Sequence, residues 1–139
     1  MRDLYNDFKA ELGMAAAAKA KASSPFAGEV IDLKGYEGLR FDCIAGALGN
    51  EINTYTFSLT ECDTSNGTFT DVNSGDILGT YPVFTKSASV DNSNTVKSFG
   101  YIGKKRYVKL SLVVAGSGNG NGVVGAVAVK GRPRHAPAV

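Results

Sequence analysis

Between Thr54 and Thr60 the chain alternates strictly. Tyr55, Phe57 and Leu59 are separated by Thr54, Thr56, Ser58 and Thr60. A period of two puts every apolar residue on one face, which only an extended strand with one buried side satisfies. Threonine on the open face agrees with strand preference, because its branched Cβ suits a pleated surface. The same period recurs at Leu39, Phe41 and Cys43, and again at Leu110, Leu112 and Val114. From Glu29 onward no helical run separates these strands, so a parallel sheet built from strand–helix–strand units is excluded.

The turns agree with this reading. The 139 residues include 17 glycines, which suits many short strands joined tightly. Gly46, Gly49 and Asn50 mark one connection, and Asn66-Gly67 is a tight-turn pair flanked by Phe69 and Val72. Ile77, Leu78, Tyr81, Val83 and Phe84 are expected to supply one further edge, and Asp91 to Asn94 a polar loop. Residues 96–102 and 106–115 read as two paired strands joined by Gly103-Lys104-Lys105. Residues 116–122 form a Gly/Asn-rich connection to a last strand over 123–130, whose small residues Ala126 and Ala128 suggest close approach of a second layer. The expected fold is all-β, a β-sandwich or jelly roll of about seven or eight short antiparallel strands.

The first two dozen residues follow another pattern. Leu4, Phe8 and Leu12 recur at intervals of four, with Met1 and Tyr5 alongside, and Ala15 to Ala18 have high helix propensity. Ser23-Ser24-Pro25 stops the run. This predicts an N-terminal arm, helical or extended, over residues 1–24, a β-sandwich domain over 25–131, and an extended tail over 132–139 whose two prolines cannot continue a ladder. The apolar stripe of the arm either packs on its own domain or docks on a neighbouring subunit, since a short amphipathic helix is marginal alone.

The chemistry is sparse. The one histidine, His135, lies between prolines in the tail, where nothing preorganises a reacting centre. Asp63, Ser65, Asn66 and Asp71 do not match the spacing of a calcium loop, and turn formation accounts for them. The glycine-rich run 116–122 precedes a strand, not the helix a phosphate loop requires. Cys43 and Cys62 lack metal-site spacing and are expected to be free thiols. No enzymatic activity, cofactor or metal is expected. The net charge of +2 and the short basic clusters Lys104-Lys105-Arg106 and Lys130, Arg132, Arg134 do not predict nucleic-acid binding, although they can pair with an acidic protein surface. No apolar run spans a membrane, and the first residues lack the apolar stretch of a signal peptide, so synthesis in a host cytosol is expected.

Ser98-Phe-Gly-Tyr-Ile-Gly-Lys-Lys-Arg-Tyr-Val-Lys-Leu110, the following strand and loop, and the ending Val129-Lys-Gly-Arg-Pro-Arg-His-Ala-Pro137 together resemble a family of small structural proteins of tailed phages. Asn66-Gly67 and Asp76-Ile-Leu-Gly79 take the places of that family's central turn elements. The resemblance covers roughly residues 27–137 and leaves out the arm. It implies a decoration or cement protein on the phage head surface that binds the major capsid (coat) protein and copies of itself, with no catalytic residues. A neck or tail component of the virion is the nearest alternative. A carbohydrate-binding β-sandwich module is another, disfavoured by the absence of tryptophan. The interface residues expected are Leu4, Tyr5, Phe8 and Leu12 on the arm, Lys104, Lys105 and Arg106 in the loop, and Arg132 and Arg134 in the tail.

Overall fold

The computed structural model describes residues 4–49 and 52–133. A single helical turn, α1 (Leu4–Asp7), leads into β1 (Phe8–Ala20), β2 (Phe26–Asp32), β3 (Tyr36–Ala45) and β4 (Asn53–Cys62). Two-residue strands β5 (Thr70–Asp71) and β6 (Ile77–Leu78) and the short β7 (Val83–Lys86) follow. The chain closes with β8 (Thr95–Tyr101), β9 (Tyr107–Gly116) and β10 (Gly120–Pro133). All pairings are antiparallel. Sheet A has the order β1-β10-β3-β8-β6, and sheet B the order β2-β9-β4-β5, with β7 also pairing β4.

The two sheets pack face to face as a β-sandwich, and the alternation of the sequence decides which side chains lie between them. Phe41, Cys43, Phe99, Val124, Ala126 and Ala128 point inward from sheet A. Tyr55, Phe57, Leu59, Val108, Leu110 and Leu112 answer from sheet B. Phe41 stacks on Phe99 with ring centroids 5.3 Å apart, and Phe57 meets Phe84 edge-on at 6.2 Å. Each fully buried ring or branched side chain contributes about 1.5–3 kcal/mol. Ala126 and Ala128 are buried, as the expected close approach of a second layer requires.

The N-terminal segment takes the extended of its two expected forms, and three further local expectations are corrected. The N-terminal stripe does not form a helix beyond α1. Its spacing of four is also a multiple of two, so Phe8 and Leu12 share the outer face of a strand as well as they would share a helix face. The long ladder with β10 then outweighs alanine's helix propensity. A bulge at Gly13 shifts the phase of β1 by one residue, so Leu12 faces out while Met14 is buried opposite Ala126. A second bulge at Ala15-Ala16 faces Gly125, where an added Cβ would lie 2.8 Å from the Ala16 Cα.

The strands at 95–101 and 107–116 do not pair with each other. β8 pairs with β3 and β6 in sheet A, whereas β9 pairs with β2 and β4 in sheet B. Residues 102–106 carry the chain from one sheet to the other, which lets both apolar faces enter one core from opposite sides.

The ladder also continues into the tail, because β10 runs to Pro133, opposite Tyr36. Pro133 sits at the end of the strand, where its missing N–H is tolerated. The segment read as one edge at 77–84 divides between the sheets, with β6 in sheet A and β7 in sheet B. Gly79, at φ +82°, and Pro82 interrupt the run between them.

Candidate interaction surfaces

Both exposed clusters of expected interface residues lie around the start of β3. The first is a groove of about 460 Å³ lined by Leu4, Phe8, Gly38, Leu39, Val129 and Arg132, together with Arg40 and Gly131. Two elements build it. α1 holds Leu4 out from the sheet, and β1 lays the Phe8 ring over Gly131, where a Cβ would come within 2.8 Å of the ring. Leu4 is 70% exposed and Tyr5 81%, while Phe8 is 43% exposed. Leu12 also faces solvent, further along the same face of β1. Arg132 closes one side in the left-handed region, at φ +51°. Leu4, Phe8 and Arg132 are thus brought together, although 124 positions separate Phe8 from Arg132.

The second groove, about 450 Å³, shares Gly38 and Leu39 with the first and is walled by the 33–37 turn and the 103–106 loop. Its cations are partly engaged. Arg106 donates to Asp32 from Nε and Nη2, both at 2.9 Å, and its guanidinium lies 4.9 Å from the Tyr107 ring centre. These hydrogen bonds hold the Asp32 carboxyl at about 2, well below the usual carboxylate range, against the opposing effect of partial burial. Lys105 pairs with Asp63 at 2.8 Å. Lys104 is exposed beside them. Arg134 and His135 lie outside the described residues.

Beneath the groove two buried polar ties escaped the sequence reading. Tyr101 donates to Glu61 at 2.6 Å, and the backbone N–H of Lys105 donates back to the Tyr101 hydroxyl at 3.2 Å. Lys130, only 5% exposed, pairs with Glu11 at 3.1 Å and donates to the Asp32 carbonyl at 3.1 Å. Its ammonium also lies 4.5 Å from the Tyr36 ring centre. The sequence groups Lys130 with Arg132 and Arg134 in a short basic cluster, because nothing local shows that β1, β2 and the 33–36 turn converge on it.

Cys43 and Cys62 are free. Cys43 is buried in sheet A, and burial, with Asp42 adding a smaller push, raises its thiol to about 12. Among the described residues no three His, Cys, Asp or Glu side chains gather where they could hold a metal ion. No helix among them is long and apolar enough to cross a membrane.

No protein-family model and no curated protein matches the chain. Among solved structures it is similar to the crystal structure of SPBc2 prophage-derived protein YomS, at 17% identity and a TM-score of 0.46, over 89% of this chain and 92% of that one.

Proposed function

We propose that the protein is a structural component of a tailed-phage virion that decorates the head surface, acts by binding rather than by turnover, and joins coat subunits through the two grooves at the start of β3. The observation that carries this reading is the clustering of Leu4, Phe8 and Arg132 around one exposed, largely apolar groove beside the basic loop, with Tyr5 exposed next to Leu4 in the chain. A small protein that works alone seldom holds a Leu, a Tyr and a Phe exposed together. The sequence resemblance to phage structural proteins supplies the partner class. The coat surface that fits is apolar at its centre and carboxylate-bearing at its rim, to meet Leu4 and Phe8 and then Arg40, Arg132 and Lys104. Covering Leu4 and Phe8 would contribute up to about 1.5–3 kcal/mol each, and repetition over a shell multiplies weak contacts through effective concentration.

The experiment is quantitative mass spectrometry of purified particles from the strain that encodes the chain, paired with capsid binding of Leu4→Ser and Phe8→Ser variants. A ratio near that of the coat protein, with binding weakened in both variants, supports decoration. A few copies per particle assigns the protein to the neck or tail. Absence from particles overturns the reading.

A further inference from the structure

We propose that two copies of the protein join through β1, with residues 8–12 pairing antiparallel about a two-fold axis at Ala10. Among the described residues β1 ends sheet A and pairs only with β10. Its regular ladder runs from Phe8 to Leu12 and stops at the Gly13 bulge. There the Gly13 carbonyl turns toward β2, so close that a Cβ on Gly28 would lie 2.3 Å from its oxygen. The second half of β1 therefore closes the side of the sandwich, and the first half keeps an edge open to pairing.

The side chains of that edge fit a second copy of themselves. Pairing centred on Ala10 sets Phe8 opposite Leu12 and Lys9 opposite Glu11 of the other copy. Phe8 and Leu12 are 43% and 53% exposed on the outer face, and each would cover the other. Lys9 stands opposite Lys130 in its own ladder, like charge against like, while Glu11 already reaches Lys130. The second copy's Glu11 gives Lys9 the counter-charge it lacks there.

The other registers centred within Lys9–Glu11 fail. Centring on Lys9 or on Glu11 sets identical charges face to face. Centring between residues sets the outer face of one copy against the inner face of the other. This inference shares Phe8 with the groove proposed to meet the coat, and its test is made in solution without capsids, so the two readings fail separately.

The test uses the full chain in solution, in a Cys62→Ser background, since Cys43 is buried. Sedimentation should find a dimer, and mild oxidation should trap Ala10→Cys as a covalent dimer. Leu12→Cys alone should stay monomeric on denaturing gels but crosslink when mixed with Phe8→Cys. Lys9→Glu, which sets two carboxylates face to face at both ends of the pairing, should weaken the dimer by about tenfold while thermal unfolding confirms that it is folded. A monomer at about 0.1 mM overturns the proposal, as does a dimer that crosslinks no better through position 10 than through position 12.

Discussion

The Tyr101 hydroxyl, on β8 of sheet A, donates to the Glu61 carboxylate, on β4 of sheet B, at 2.6 Å. Both residues are buried, so this bond ties the sheets together at the end where the 102–106 crossing leaves the core. Burial, then the bond to Glu61, pushes the Tyr101 hydroxyl well above its ordinary range. It stays protonated and a donor at every working pH.

Tyr101→Phe should therefore destabilise by about 1.5–3 kcal/mol, because it leaves a carboxylate without its donor and frees the Lys105 N–H. Urea unfolding measures this. A double-mutant cycle with Glu61→Gln should show a coupling of at least about 1 kcal/mol. Additive effects would mean that the two side chains act separately.

Asp32 and Arg106 make a different kind of tie, nearly half exposed on both sides. The Asp32 carboxyl is held at about 2, below its value in an unfolded chain of about 4. Its contribution is thus complete above pH 4 and disappears as pH falls from 4 toward 2. Exposure and salt limit it to about 1 kcal/mol. Asp32→Asn should be less stable than the parent by that much at pH 7 and should converge on it as pH falls through 2. A constant difference between pH 7 and pH 2 in low salt would contradict the assignment.

The contact of Gly28 with Gly13 fixes how closely β1 can close over β2. Gly28→Ala drives a methyl group to 2.3 Å from a backbone oxygen that cannot rotate away. We expect a loss of about 2–3 kcal/mol, at the upper end of overpacking effects. Gly75→Ala, which meets nothing within 4 Å, is the control and should change stability by less than about 0.5 kcal/mol. Equal behaviour of the two variants would place the strands further apart.

Where burial follows a strict period, the sequence was enough. Tyr55, Phe57 and Leu59, and likewise Leu39, Phe41 and Cys43, are buried as their alternation requires. It could not decide the N-terminal segment, because residues four apart share a face in both a helix and a strand. Nor could it separate a hairpin at 102–106 from a crossing between sheets, since both need the same two alternating runs and the same glycine. The candidate surface divides similarly. Leu4, Tyr5, Phe8 and Leu12 are exposed, where the sequence left open whether they pack on their own domain. Arg106 and Lys105 find their counter-ions 74 and 42 residues away, which no local pattern reveals.

Arg132 offers the sharpest test that separates stability from the proposed capsid binding. Its φ of +51° is one that only glycine adopts without cost, and it immediately precedes Pro133, where extended backbone is normally preferred. The strain is about 1 kcal/mol. The ladder with β3 on either side, at Gly131–Gly38 and Pro133–Tyr36, holds the residue there at the rim of the apolar groove. Arg132→Gly should relieve the strain and raise unfolding stability by up to about 1 kcal/mol while lowering capsid affinity. Arg132→Ala should lower affinity equally with no gain in stability, because alanine keeps a Cβ in the same backbone conformation. Calorimetry of the two variants beside a capsid-binding titration makes the comparison. If both variants bind as the parent does, Arg132 is no part of the interface. If neither differs from the parent in stability, its backbone carries no strain.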